Sequence, residues 1–246
     1  MKSKSTLDSE NACELILALD LADKAEALAL LDRIDGGLDW VKIGLQMFTR
    51  WGPGLLDEVA NRGYKIFLDL KLHDISNTVA SAVQSLAHCP VEMLTLHASG
   101  GPEMIAAAKA TRDAAGSKAK LIAVTVLTSI NESILASIGM QGPIAARVEA
   151  LARLSVESGA DGLVCSPLEV ARLRENLGRA SLLITPGIRP AGSASGDQKR
   201  ILTPAEAAAA GSSFIVVGRP ILRADDPRAA ALAIRDELAT TSSHDG

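Results

Sequence analysis

Aromatic residues are nearly missing from this 246-residue chain, where Phe, Trp and Tyr together make up 2%. Its apolar interior must therefore be filled by Ala, Leu, Ile and Val, a bias that suits parallel strands buried on both faces. Basic clusters are missing too. The formal net charge is −4, and the Lys and Arg residues are dispersed. That excludes the basic stripe with stacking aromatics expected of a nucleic-acid surface. Cysteine is scarce. Cys13, Cys89 and Cys165 lie far apart and form no C-x-x-C pair, which argues for free thiols in a reducing compartment rather than a metal cluster or a disulfide framework. No apolar run is long enough to span a bilayer, and residues 1–11 lack the apolar centre of a signal peptide. These absences point to a soluble, cytoplasmic protein with no nucleic-acid or membrane partner, whose anionic ligands are small.

What is present is one repeated rhythm. Eight short apolar runs occupy residues 15–20, 40–45, 65–72, 93–98, 121–127, 162–166, 182–186 and 214–218. Between them lie stretches with helical periodicity, such as 24–34, 54–62, 78–87, 144–157 and 229–238. Strict strand-then-helix alternation implies parallel strands joined by crossover helices. Eight such units in a chain of this length predict an α/β protein, a closed (β/α)8 TIM barrel. A doubly wound sheet is the other candidate. Its first turn would carry G-x-G-x-x-G, whereas Leu19-Asp20-Leu21-Ala22-Asp23 contains no glycine. No linker interrupts the chain, so residues 1–246 read as a single barrel domain with short flexible termini. The irregular stretch 189–203 reads as a lid, a binding loop or a disordered segment.

In such barrels the chemistry collects at the C-terminal ends of the strands. Run one ends in Asp20, and run two carries Lys42 between Val41 and Ile43. Run three reads Phe67-Leu68-Asp69-Leu70-Lys71-Leu72-His73-Asp74. Strand periodicity puts Asp69 and Lys71 on one face, pointing inward, with Leu68, Leu70 and Leu72 on the other. Lys42 has the parity to join them. Asp74 falls just past the strand; taken alone it reads more readily as the N-cap of a helix starting near Ile75. Asp20 reads equally as the cap of the first helix. Asp69 with Lys71 can also be read as a structural ion pair, but buried pairs add little stability over apolar replacements. Two lysines and a carboxylate at adjoining strand ends favour a functional reading. His73 and His97 read as core or rim residues without assigned partners, and His88 and His244 as surface residues.

The last two strand ends suit an anion. Val217-Gly218-Arg219-Pro220 combines a glycine turn with a proline at a helix start. Thr185-Pro186-Gly187-Ile188-Arg189 leads into the Gly/Ser-rich loop with Gln198. Arg189, Gln198 and Arg219 converge in this reading on one phosphate, the arginines supplying bidentate hydrogen bonds.

These segments closely resemble the orotidine 5′-monophosphate decarboxylase family, particularly its bacterial branch. Residues 67–75 fit that family's D-x-K-x-x-D signature, which related sugar-phosphate barrels share. Leu17-Ala18-Leu19-Asp20, Val41-Lys42-Ile43-Gly44, Ala123-Val124-Thr125-Val126-Leu127-Thr128-Ser129, Gly196-Asp197-Gln198 and Val217-Gly218-Arg219-Pro220 extend the likeness over nearly the whole chain. The resemblance implies conversion of orotidine 5′-monophosphate to uridine 5′-monophosphate and CO₂ in pyrimidine biosynthesis, without cofactor or metal. It implies that Lys42, Asp69, Lys71 and Asp74 form a charged catalytic array, with Lys71 as proton donor, and that Asp20 binds ribose. Thr128 is implied to approach the pyrimidine and Pro186 to line the pocket. Arg189, Gln198, Gly218 and Arg219 are implied to hold the phosphate. Asp74, Ile75 and Thr78 are implied to reach a second subunit, making a homodimer with shared active sites.

The implied chemistry suits these residue types. Loss of CO₂ from C6 leaves an electron pair in the ring plane, out of reach of an imine or thiamine sink. Electrostatics and prompt protonation remain. An ammonium flanked by carboxylates supplies both, since the carboxylates favour its charged form. The nearest alternative enzyme is a metal-dependent sugar-phosphate decarboxylase, aldolase or epimerase of related architecture. Lys42 disfavours it, because an acidic residue is typical at that position. A phosphate-binding barrel without activity is a further alternative, but it would have no need of Lys71 and the full array.

Overall fold

The computed structural model describes residues 13–190 and 202–240. Eight strands run in chain order: β1 (Glu14–Ala18), β2 (Trp40–Gly44), β3 (Lys65–Leu72), β4 (Met93–His97), β5 (Lys120–Val124), β6 (Gly162–Val164), β7 (Leu182–Pro186) and β8 (Phe214–Val217). All pair in parallel with their sequence neighbours, and β8 pairs back to β1, which closes the barrel. The helices are α1 (Lys24–Ile34), α2 (Leu45–Trp51), α3 (Pro53–Ala60), α4 (Ser76–Leu86), α5 (Pro102–Ala114), α6 (Glu132–Ser137), α7 (Ile144–Glu157), α8 (Val170–Leu177), α9 (Pro204–Ala209), α10 (Arg219–Leu222) and α11 (Pro227–Ala239). Among the described residues no helix is long and apolar enough to cross a membrane.

Strand alternation sorts the apolar residues into two layers. Ile16, Trp40, Phe67, Met93, Ile122, Ile184 and Phe214 fill the barrel's interior. Trp40 and Phe214 meet there edge to face, with centroids 5.2 Å apart. Residues one step along, such as Leu17, Val41, Leu68, Leu121 and Ile215, pack outward against the helices. Each large aliphatic side chain so buried stabilises the fold by roughly 1.5–3 kcal/mol. Half of the scarce aromatics, Trp40, Phe67 and Phe214, are spent on the inner plug.

Helix boundaries follow local chemistry. Asp23 caps α1 by accepting from the Glu26 N–H at 2.9 Å. Ala27, Leu30, Leu31 and Ile34 then form its buried stripe. Thr203 and Glu206 form a reciprocal capping box at α9, with Pro204 in the first turn. Asp226 caps α11 in the same way, bonding to the Ala229 N–H at 2.9 Å.

Several expectations need correction. Asp20 does not cap α1, because Asp23 does. Asp74 does not cap α4: Ile75 holds the cap position with no side-chain bond, and the Asp74 carboxylate accepts from the adjacent Ile75 N–H at 2.7 Å. Strands β1, β5 and β6 stop short of the apolar runs that mark them, at Ala18, Val124 and Val164. Beyond those points the chains leave the barrel as loops, and apolarity continues there as loop packing. Residues 1–12, 191–201 and 241–246 lie outside the described set, and with them His244, the terminal segments and most of the expected 189–203 loop.

Candidate active site

Ionisable side chains gather at one mouth of the barrel. The Lys42 Nζ donates to Asp20 Oδ1 at 3.0 Å and lies 3.8 Å from Asp69 Oδ2. The Lys71 Nζ donates to Asp69 Oδ1 at 2.7 Å. The result is an alternating chain, Asp20, Lys42, Asp69, Lys71, drawn from the ends of β1, β2 and β3. Side chains of Lys42 and Asp69 are 12% and 13% exposed, against 31% for Lys71 and 51% for Asp20. The centre of the array is thus nearly dry, while its two ends face the opening. Charges there interact more strongly than they would in water.

Asp69 and Lys71 meet on the inner side while Leu68, Leu70 and Leu72 join the outer layer, as strand alternation predicts, but the register of β3 against β4 is irregular. Leu68 is level with Leu94, but Leu72 is level with Leu96, so four residues of β3 oppose two of β4. The strand bulges, and Lys71 adopts φ 50°, the sole positive value among described residues other than glycine. Such a conformation costs of order 1–3 kcal/mol and persists where the surroundings impose it. Bulges of this kind re-aim side chains beside active sites. The inward convergence is as expected from the strand pattern, and the bulge is an addition that the pattern does not foretell.

Three residues beside the array have no part in the site as read from the sequence, His97 among them as a core or rim residue. Thr95 on β4, fully buried, donates to Asp69 Oδ1 at 3.0 Å and accepts from the Lys71 backbone N–H at 2.8 Å. Its signal was faint, a hydroxyl on the inner face of an otherwise apolar run. Gly44 stands level with Asp69. A Cβ there would lie 3.0 Å from the Lys42 Nζ and 3.4 Å from Asp20 Oδ1, so glycine keeps that ion pair uncrowded. His97 packs its ring against His73, with centroids 5.2 Å apart. Burial pushes the His97 imidazole below its ordinary value. The neighbouring His73 and Lys71 add to this, while Asp69 and the Val124 backbone oppose it.

Asp74, Ile75 and Thr78 sit at the start of α4, all exposed. Ile75 is 73% exposed, unusual for so large an apolar side chain. Thr128 lies exposed in the turn after β5.

Strands β7 and β8 pair through Pro186 and Val216, and Arg189 and Arg219 each follow three residues later. The Arg189 N–H bonds to the Leu202 carbonyl at 3.0 Å, and its buried side chain donates to the Ile188 carbonyl at 2.9 Å. Gly218 holds the cap position of α10 with φ −116° and ψ −93°. A Cβ there would stand 3.4 Å from the Ala18 Cβ, so the turn runs close against β1. Gln198 lies outside the described residues. Among the described residues no three His, Cys, Asp or Glu side chains cluster as a metal site would require, and the Lys42 ammonium lies between the Asp20 and Asp69 carboxylates.

Residues 14–234 match the profile of the orotidine 5′-phosphate decarboxylase / HUMPS family. The orotidine 5′-phosphate decarboxylase of Opitutus terrae is 50% identical over 227 residues, covering 92% of this chain and 99% of its own. That of Rhodopseudomonas palustris is 49% identical over 233 residues, covering 95% and 97%. The crystal structure of the Lactobacillus acidophilus orotidine 5′-phosphate decarboxylase superposes with a TM-score of 0.83 at 42% identity, covering 92% of this chain and 99% of that one.

Proposed function

The chain belongs to the orotidine 5′-phosphate decarboxylase / HUMPS family, and we propose that it is a carboxy-lyase converting orotidine 5′-monophosphate to uridine 5′-monophosphate and CO₂, in the cytoplasm, as a step of pyrimidine biosynthesis. The observation that carries this reading is the alternating array itself, with the Lys71 Nζ 2.7 Å from Asp69 and the Lys42 Nζ between Asp20 and Asp69.

The array fits the electronic problem. As the C6–carboxylate bond breaks, its electron pair stays on C6 in the ring plane. The Lys71 ammonium stabilises that charge and then transfers its proton to C6, leaving a neutral amine that solvent reprotonates. Asp69 holds Lys71 in place, and its own charge crowds the departing carboxylate. Lys42 balances Asp69 and Asp20, and Asp20 faces the opening where a ribose hydroxyl would lie. Thr128 approaches the pyrimidine, and Pro186 lines the pocket. Arg189, Gln198, Gly218 and Arg219 hold the phosphate, whose binding energy helps to organise the site. Asp74, Ile75 and Thr78 complete the site of a second subunit in a homodimer; the exposed Ile75 supports this, because an interface would cover it.

A metal-dependent reaction is the competing reading, and Lys42 stands against it, since an ammonium occupies the position a cation would take. The test is to incubate the protein with orotidine 5′-monophosphate and excess chelator and follow loss of the substrate's ultraviolet absorbance. Turnover is expected. Activity that returns only when a divalent metal is added would overturn the metal-free mechanism.

A further inference from the structure

We propose that Thr95 is a positioning residue that fixes the geometry of the Lys71–Asp69 pair. The inference rests on the decarboxylase reading and extends it to a residue on a different strand. The Thr95 hydroxyl has one proton and is fully buried. It accepts from the Lys71 backbone N–H at 2.8 Å, and its proton goes to Asp69 Oδ1 at 3.0 Å. An ionised carboxylate only accepts, so the direction of this short relay is determined.

Both bonds bear on the reacting group. The first anchors the bulge at its strained point, where Lys71 takes φ 50°. Without that acceptor a buried N–H would lose its partner, and the backbone would gain by relaxing toward ordinary strand geometry. The second sets the rotation of the Asp69 carboxylate. Oδ1 takes the Lys71 ammonium and the Thr95 hydroxyl together, which turns Oδ2 toward Lys42, 3.8 Å away. Thr95 therefore controls both where the ammonium starts and which carboxylate oxygen is left facing the pocket. Its β-branched side chain is stiff, so the hydroxyl itself is held.

The test uses Thr95→Val, which keeps the shape and removes the hydroxyl, and Thr95→Ser, which keeps the hydroxyl. Thr95→Val should lower kcat by about 10- to 100-fold, the range for losing a hydrogen bond to a charged group, with KM changed less than about threefold. Thr95→Ser should recover most of that loss. Amide hydrogen exchange at Lys71, read by NMR, should quicken in Thr95→Val and stay slow in the wild type and in Thr95→Ser. Unchanged kcat in Thr95→Val would overturn the proposal, whatever the exchange rate. So would equal damage in both variants, which would mean that packing, not the hydroxyl, matters. If the wild type does not consume orotidine 5′-monophosphate, the decarboxylase reading fails by itself. The exchange rates then decide whether Thr95 holds the bulge, and an unchanged Lys71 rate refutes it.

Discussion

The two rims of the barrel use the same ionic chemistry and wire it differently. At the N-terminal rim the charged side chains bond to one another and also to main chain. Asp161 accepts from Arg112 at 2.5 Å and from the Leu121 N–H at 2.9 Å, and Arg112 also donates to the Ala119 carbonyl at 3.3 Å. Arg174 donates to the carbonyls of Gly211 and Ser181, each at 2.9 Å, and to the Ser213 hydroxyl at 3.0 Å. These side chains staple loops to the strands that follow them. At the C-terminal rim, by contrast, Asp20, Lys42, Asp69 and Lys71 bond mainly to one another. Among the described residues, the Lys71 ammonium has a hydrogen bond to Asp69 alone, so donor capacity is left for a ligand. An ion pair that also ties down backbone groups serves the fold; an array bonded mainly within itself at an open mouth is available for chemistry.

Breaking each rim should therefore give opposite signatures. At the C-terminal rim, only loss of the Lys71 ammonium should cost more activity than Arg219→Ala. That substitution should lower kcat/KM by about a hundredfold through loss of a charged phosphate contact, with the urea midpoint nearly unchanged. Steady-state kinetics with the phosphorylated substrate, set beside urea melts, checks both halves. Wild-type kinetics would remove Arg219 from the phosphate site.

Arg112→Ala should do the reverse. It leaves the partly buried Asp161 with only the more distant Lys120 ammonium, 3.5 Å away, which should cost about 1–3 kcal/mol of stability in urea unfolding. Turnover per folded molecule should stay within about twofold of the wild type. A large loss of kcat there would blur the distinction between the rims.

The smallest effect sharpens the contrast through pH. His97 lies beside the array with its imidazole held below the usual value, first by burial and then by His73 and Lys71, against Asp69 and the Val124 backbone. The unfolded chain, with a histidine near 6.5, then binds the extra proton more readily. Stability from this group is full above about pH 6.5 and is lost as pH falls through the lower folded value. His97→Asn should flatten the fall of Tm between about pH 7 and about pH 5. An identical slope in both proteins would show that His97 does not report on the mouth.

Much of the fold was legible because its physics is local and repetitive. Parallel strands buried on both faces leave short apolar runs, and β3 and β7 match theirs to the residue. Helices α1 and α7 match as well, their apolar stripes being regular. Strand ends were less legible where loops stay apolar, as after Val124. Charges are conspicuous inside apolar runs, so Lys42, Asp69 and Lys71 stand out in the sequence. Thr95 does not, because threonine is an ordinary strand residue and its role comes from a bulge on another strand. Nothing local marks Lys71 for a positive φ. The Asp74 cap was misread because a favourable capping residue lay one position too early. Arg189 and Arg219 could be placed on adjoining strand ends by counting strands, but Gln198 lies in the segment not described.

The most direct test of the account is Lys71→Ala, assayed for turnover of orotidine 5′-monophosphate alongside circular dichroism and binding of uridine 5′-monophosphate. The expected result is a kcat lower by more than about a thousandfold, with folding and product binding retained. Near-normal turnover in that variant would contradict the claim that the interleaved ammonium and carboxylate groups perform the reaction.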